Sequence, residues 1–566
     1  MSLAFEPLTP FGVVVTVDPG TTLRDLADRL SAWVREHKVV VLRNLVAPSK
    51  MALPLAAREL GPLQCWSFGS VHELRTKTTA DNYLYTDHAV PLHWDGAFAG
   101  AAPSYLVFHC LEAPPVGGET VFVDTGTVWQ RLSCEQKDRF RCVELRYTTD
   151  RRAHYGGSFV APLVQQHALL GHTVLRFAEP VDDLNPVRVE VVGEGPVHAA
   201  SLLGEIRHEL SAKDVRLELP WRSGDVVVAD NLGLLHGRNA FDGARGRHIR
   251  RVNVLPPTRP TIRELLWDSL RIRRPEFLVA EVPILLIPLL LAPGRLDLAT
   301  LVSLVVTFVL LFHVGDMTNC LADRDLDVVY KPKLAEAVRR LGVPMVVAQI
   351  ALSALGAVAL MVELAIRSGD LRPLALVAVG LLLGLSYSLR PLYLKGRGLL
   401  QIPALIALIF VGPMLLAWTV AGGELDAGSL GLFVAYGAMQ QGIILLNTAE
   451  DLPEDRAMGI RTSARALGLR GSLVGSMVLT VGGGVGVLAL LSVLLAAAGR
   501  PVVLALLPLA TVLFSFAAVC GRVHGRLAAL PEEPALRELR AASRLVPVWI
   551  SATALGALFA VGVLRC

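Results

Sequence analysis

The chain has no CxxC pair and no even set of regularly spaced cysteines. Its seven cysteines, Cys65, Cys110, Cys134, Cys142, Cys320, Cys520 and Cys566, are scattered. Neither a structural zinc site nor a disulfide framework is indicated, and a reducing compartment is expected. Charge of one sign is also scarce: the formal net charge is +4 over 566 residues. No basic patch interleaved with aromatic residues is found, which excludes nucleic acid as a partner. The opening MSLAFEPLTPFG lacks a basic stretch followed by an apolar core, so no secretory signal is expected.

Apolar side chains are abundant: 53% of residues, with a mean hydropathy of +0.50. They are unevenly spread. Residues 1–258 read as a soluble mixture with frequent charges, whereas residues 277–566 are apolar runs with short charged connections. Length and this shift together predict more than one domain. The expected boundaries are 1–256 for a soluble domain, 257–276 for an amphipathic linker and 277–566 for a membrane domain.

A spanning helix needs roughly 20 mainly apolar residues. Nine candidates meet or approach this: about 277–292, 298–318, 343–366, 373–389, 400–421, 429–448, 473–496, 501–520 and 545–563. The connections after the second, fourth, sixth and eighth carry basic clusters, among them Arg324, Lys331 and Arg340, then Lys395 and Arg397, then Arg461 and Arg465, then Arg522 and Arg526. The alternate connections hold only Arg295, Arg367, Arg372 and Arg500. The clustered side is predicted to be cytoplasmic. That makes the chain a multi-pass protein of the inner membrane, in contact with membrane lipid, with its soluble domain in the cytoplasm. In the linker, Leu265, Leu266, Trp267 and Leu270 would face lipid while nearby arginines meet anionic headgroups.

Two of the candidate spans end in carboxylates. In HVGDMTNCLADRDLDVV, residues 313–329, a helix advancing about 100° per residue puts Asp316, Asn319, Asp323 and Asp327 within an arc of about 80°. In NTAEDLPEDRAMGIRTS, residues 447–463, Asn447, Asp451 and Asp455 repeat the four-residue spacing, and Pro453 interrupts the helix. Carboxylates at a lipid boundary are costly and mark function. Hard oxygen ligands in clusters suit Mg²⁺, shared with substrate phosphates. Lys395, Arg397 and Arg461 would neutralise the remaining charge of a diphosphate.

This half resembles the UbiA superfamily of intramembrane prenyltransferases over about residues 265–566. The likeness rests on Asn319, Asp323 and Asp327, on Asp451, Asp455 and Gly459, and on the loop YSLRPLYLKGRG. It implies a nine-helix, all-α bundle and Mg²⁺-dependent transfer from an isoprenyl diphosphate. It also implies that Asn319, Asp323, Asp327, Asp451 and Asp455 hold Mg²⁺ and diphosphate, and that Tyr387 and Lys395 form the family's Tyr/Lys loop.

The soluble half has short strand-like runs at 39–45, 104–110 and 224–231 and amphipathic stretches at 22–36 and 127–141, a β-rich pattern with a few helices. In VPLHWDGAF, His93 and Asp95 are two residues apart, so they share one face of a strand. His236, in ADNLGLLHGRNAF, supplies a second imidazole. Two histidines and one carboxylate form a facial triad for Fe(II), which leaves positions for a keto acid and O₂. Arg247 and Arg251, in GRHIRRVNV, share a strand face and offer a cation for the keto acid's distal carboxylate.

This half resembles the TauD-type Fe(II)/2-oxoglutarate dioxygenases, and within them the enzymes of isocyanide (isonitrile) amino-acid pathways. VFHCLEAP, RRAHYGGSFVAPLV and VLRFAEP carry the closer likeness. The resemblance implies a double-stranded β-helix, with Thr120 and Arg247 on the distal carboxylate of 2-oxoglutarate. It places Arg251 or His154 near an anionic group of the substrate. Together the halves predict oxidation of a small, amino-acid-derived substrate and prenyl transfer to an acceptor. The rival readings are a terpene cyclase in the membrane half, a membrane half that only anchors, and a soluble half that only binds.

Overall fold

A computed structural model describes residues 2–566 apart from 67–68, 78, 81, 97, 99–101, 151–155, 244–245, 258, 295 and 458. His154 and Arg295 therefore lie outside the described residues. The chain divides into two compact units. One is Met1–Arg259 with Asp327–Glu336, and the other is Pro260–Leu326 with Ala337–Cys566.

The first unit is built on two main sheets, accompanied by a three-stranded and a two-stranded one. The larger has seven strands in the order Leu3–Pro7, Val13–Val17, Val39–Arg43, Val226–Asp230, Tyr105–Glu112, His248–Val254 and His72–Arg75. All its pairings are antiparallel except that of Val13–Val17 with Val39–Arg43, whose crossover is the helix Ala27–His37. The smaller sheet runs Arg216–Leu219, Thr120–Asp124, Leu234–Arg238 and Val90–His93.

Strand alternation decides what each face buries. In Val39–Arg43, Val39 and Val41 join Phe108, Phe122, Leu217 and Leu234 in the core between the sheets. Val40 and Leu42 turn outward, against Leu30, Val34 and Leu53. The outer face of the smaller sheet packs Val121, Val123 and Leu235 against Trp129, Phe140 and Ile206 of three covering helices. The result is the jelly-roll sandwich that the sequence predicts.

The segment Asp327–Glu336 belongs to this unit as well. Val328 and Ala335 are buried in the outer core of the larger sheet. Ser70 Oγ donates to the Val328 carbonyl at 3.0 Å. Gly69 has φ +104°, and a Cβ there would stand 2.7 Å from the Val329 carbonyl oxygen, so only glycine fits. The expected boundaries had no place for this segment in the soluble half.

In the second unit, seven helices among the described residues are long and apolar enough to cross a membrane: Leu298–Ala322, Val343–Ser368, Gly398–Val420, Ala427–Glu450, Ser463–Ala497, Val502–Leu527 and Pro534–Arg565. Seven, not nine, reach that length. The first and fourth expected spans are the shorter helices Leu278–Leu291 and Arg372–Ser388, and the former carries Pro283 and Pro288 in its interior. Ala427–Glu450 is the most enclosed of the seven. It packs on Ser463–Ala497 so closely that a Cβ at Gly442 would lie 2.4 Å from Thr480 Oγ1, the small-residue contact that membrane helices favour. The linker forms the helix Ile262–Arg271, opened by a reciprocal Thr261–Glu264 capping box. Its Ile262, Leu266, Trp267 and Leu270 are exposed, and Asp268 on the opposite side is held by Arg340 at 2.7 and 2.9 Å.

Candidate active sites

In the first unit, the ends of two neighbouring strands bring the triad together. His93 closes Val90–His93 and pairs in register with His236 of Leu234–Arg238, and their rings lie 4.2 Å apart. Asp95 Oδ1 stands 3.7 Å from His93 Nε2 and 3.9 Å from His236 Nε2. Among the described residues this is the group of donor atoms, all within 4.8 Å of one another, that can hold a metal.

Each donor is prepared for that role. His93 Nδ1 lies 2.9 Å from the Pro91 carbonyl, which can only accept, so Nδ1 carries the proton and Nε2 the lone pair. His236 Nε2 is buried with no hydrogen-bond partner among the described residues, which costs about 1–3 kcal/mol unless a ligand meets it. Burial depresses both imidazoles, His236 strongly, and keeps them neutral although Asp95 opposes the shift. For Asp95, burial favours the acid, but the charge of Arg251, helped by the Asn253 hydrogen bond, holds the group ionised. Two neutral imidazoles and one carboxylate fit Fe(II).

Asp95 is oriented by Asn231 and Asn253, which sequence reasoning missed, and by Arg251, which it assigned to the substrate. Asn231 clasps its backbone in both directions at 3.0 Å. Arg251 Nη1 and Asn253 Nδ2 meet Asp95 Oδ2 at 2.9 and 3.0 Å, which leaves Oδ1 for a metal. Asn253 also donates to Gln64 Oε1 at 2.9 Å. These partners stand well over a hundred residues from Asp95, and no local pattern marks them. Trp94, between the two ligands, turns to the other face and packs in the outer core beside Phe159.

Beside the triad opens a cleft lined by His93, Asp95, Arg251, Trp66, Tyr83 and Phe98 among others. Arg247 is buried and has no ion-pair partner among the described residues. Burial, aided by Arg238, pushes it down to about 9. A buried guanidinium without a carboxylate fits an anionic cosubstrate. Thr120 Oγ1 accepts from Trp221 Nε1 at 3.0 Å, so its own hydrogen remains free to donate.

In the second unit, the predicted continuous acidic face does not form. The helix Leu298–Ala322 stops at Asp323, its C-cap, with φ −91° and ψ 5°. Asp327 begins the separate helix Asp327–Tyr330 in the first unit, so the arc drawn through Asp316, Asn319, Asp323 and Asp327 is wrong. The reason is electrostatic: carboxylates crowd the negative end of a helix dipole and shorten the helix. The second motif follows the same plan. Ala427–Glu450 ends at Asp451, its C-cap, and Asp455 lies on Leu452–Ala457, with Pro453 in that first turn.

Two helix C-termini each capped by aspartate call for cations. Lys395 provides one, in an ion pair with Asp323. Burial opposes the charge on Lys395, but Asp323 more than compensates and raises it. Thr462 Oγ1 donates to Asp455 Oδ2 at 2.5 Å. Burial, Asp451 and Asp323 push Asp455 up to about 6 against the pull of Thr462 and Lys395. Asn319 is half-buried and within 3.5 Å of Ser388 Oγ. Asn447, Arg397 and Arg461 are exposed, and Arg397 caps the Leu392 and Pro391 carbonyls of its own loop. Tyr387 accepts from Gln401, another residue that sequence reasoning missed.

Comparison with known proteins bears on both units. Residues 4–253 match the model of the taurine catabolism dioxygenase TauD, TfdA family, and residues 281–526 that of the UbiA prenyltransferase family. The protein named 3-((Z)-2-isocyanoethenyl)-1H-indole synthase from Fischerella ambigua is 38% identical over 44% of this chain and 94% of its own length. A tyrosine isonitrile desaturase from Pseudomonas aeruginosa is 34% identical over 42% of this chain and 84% of its own. The crystal structure of the PvcB protein from Pseudomonas aeruginosa shares 31% identity over 44% of this chain and 91% of that one, with a TM-score of 0.39.

Proposed function

Because the chain belongs to the TauD, TfdA dioxygenase family over residues 4–253 and to the UbiA prenyltransferase family over residues 281–526, we propose that it is one membrane enzyme with two reactions. In the first, an Fe(II)/2-oxoglutarate oxygenase oxidises a small isocyanide made from an aromatic amino acid. His93, Asp95 and His236 would hold the iron, which when bound supplies oxidation by O₂ coupled to decarboxylation of 2-oxoglutarate. Arg247 and Thr120 would take the distal carboxylate of the cosubstrate. Trp66, Tyr83 and Phe98 would enclose the substrate ring and exclude water. The observation that carries this reading is the metal-ready triad opening on an aromatic-lined cleft. Likeness to an isocyanoethenyl-indole synthase and a tyrosine isonitrile desaturase favours desaturation as the outcome.

In the second reaction, an isoprenyl group passes from its diphosphate to an acceptor. The allylic C–O bond breaks, a bond to the acceptor forms, and the acceptor loses a proton. Asp323, Asp451 and Asp455 would bind the diphosphate through Mg²⁺, with Asn319 and Asn447 beside them. Lys395, Arg397 and Arg461 would steady the leaving group, and Tyr387 would donate to it. The pairing of Lys395 with Asp323 and the raised Asp455 support a site whose carboxylates call for cations. The distribution of basic connections favours the inner membrane, with the oxygenase half in the cytoplasm.

Membranes containing the full chain test both parts. Supplied with Fe(II), 2-oxoglutarate and the isocyanides of tryptophan and tyrosine, they should form succinate and a desaturated isocyanide seen by mass spectrometry. Supplied with dimethylallyl, geranyl or farnesyl diphosphate and Mg²⁺, they should release pyrophosphate only when an acceptor is present. A cyclic product without acceptor would replace transfer by cyclisation.

A further inference from the structure

Tyr387 lies one residue from the end of Arg372–Ser388, and its phenol meets a buried side chain from another helix. Gln401 Nε2 is 2.9 Å from Tyr387 Oη. The sense of that amide is settled at its other end. Gln401 Oε1 receives both the backbone N–H and the hydroxyl of Ser463, each at 2.8 Å. A backbone N–H can only donate, so the amide oxygen faces Ser463 and its NH₂ faces Tyr387. An NH₂ can only donate in turn, so the phenol oxygen accepts. The phenol's own hydrogen is left for a further acceptor, and none is found among the described residues.

The surroundings indicate what that acceptor is. Ser388, next to Tyr387, reaches Asn319, one turn before Asp323. The loop carrying Lys395 continues to Gly398, whose N–H donates to the Arg461 carbonyl at 2.6 Å, just before Thr462 and Ser463. The charged groups that reach Tyr387 are Lys395, Asp323 and Asp455, the groups assigned above to the diphosphate.

We propose that Gln401, anchored by Ser463, is a positioning residue that forces Tyr387 to donate its phenolic hydrogen to a diphosphate oxygen of the prenyl substrate. The proposal rests on the prenyltransferase reading of this unit. Negative charge grows on the diphosphate as the allylic C–O bond breaks. A donor aimed there strengthens in the transition state and acts on kcat more than on KM.

The test uses the full chain in membranes, with the diphosphate panel and acceptor above, and reads pyrophosphate release. Gln401→Glu keeps the shape but replaces the NH₂ by an acceptor, so the phenol must donate to it and turn its hydrogen from the site. Its kcat should fall about ten- to a hundredfold, the worth of a hydrogen bond to a charged group, with KM changed little. Tyr387→Phe should fall equally, and the double variant no further. Gln401→Leu, which adds no charge, should lose less than Tyr387→Phe and again nothing when combined with Tyr387→Phe; it keeps the test decisive where Gln401→Glu fails to fold. Losses that multiply in the double variants, with an active wild type, overturn the proposal alone. A wild type that releases no pyrophosphate with any diphosphate overturns the prenyltransferase reading and the proposal with it.

Discussion

Arg251 Nη1 sits 2.9 Å from Asp95 Oδ2, and this contact divides the carboxylate between two tasks. Oδ2 is taken by Arg251 and Asn253, while Oδ1 faces the two imidazoles. The sequence reading placed Arg251 against an anionic group of the substrate. Arg251→Ala should weaken Co(II) binding to the triad about 10–100-fold, the usual effect of removing an outer partner of a metal ligand. Titration of the Co(II) absorption bands measures this without turnover. Unchanged Co(II) affinity with a raised substrate KM would return Arg251 to the substrate.

Arg247 should act on the cosubstrate alone. Arg247→Gln removes a buried guanidinium that has no ion-pair partner among the described residues. The KM for 2-oxoglutarate, read as succinate formed against concentration, should rise at least about tenfold. Co(II) affinity should stay as in the wild type.

Lys395→Met would leave Asp323 buried at the negative end of a helix without its cation. Breaking such a pair costs about 3–5 kcal/mol. Thermal unfolding of the detergent-solubilised chain should show a lower midpoint without Mg²⁺. Mg²⁺ with inorganic pyrophosphate should recover part of it.

Asp455, pushed up to about 6 by burial and by Asp451 and Asp323, would make the proposed Mg²⁺ binding pH-dependent. Protons compete with Mg²⁺ for the carboxylate. Mg²⁺ affinity should therefore fall as pH drops through about 6. Asp451 raises the group, so Asp451→Asn should move this fall to lower pH. Mg²⁺ dependence of pyrophosphate release at a series of pH values checks both signs.

The grouping of His93, Asp95 and His236 was legible from short-range signals, the two-residue spacing and the β-run that carries His236, but not through strand parity, because the strand ends at His93 and Asp95 stands in the turn that follows. What orients Asp95 was not legible, since Asn231, Arg251 and Asn253 reach it only through sheet pairing across the fold. In the membrane half the aspartate motifs could be read, but their geometry could not. Helical period was carried past Ala322, where the helix ends. Gln401 and Ser463 gave no signal, because a buried amide between two helices looks like any polar residue in an apolar run. The docking of Asp327–Glu336 in the oxygenase unit depends on Gly69 and Ser70, whose role only packing discloses.

The most direct test of two reactions on one chain is a paired assay of succinate and pyrophosphate in one membrane preparation. It compares wild type, His93→Ala and Asp323→Asn, each given an aromatic isocyanide, 2-oxoglutarate, Fe(II), a prenyl diphosphate panel, an acceptor panel and Mg²⁺. His93→Ala should abolish succinate and keep pyrophosphate release, and Asp323→Asn should do the reverse. Pyrophosphate release undiminished in Asp323→Asn, or succinate undiminished in His93→Ala, would contradict the assignment of that half.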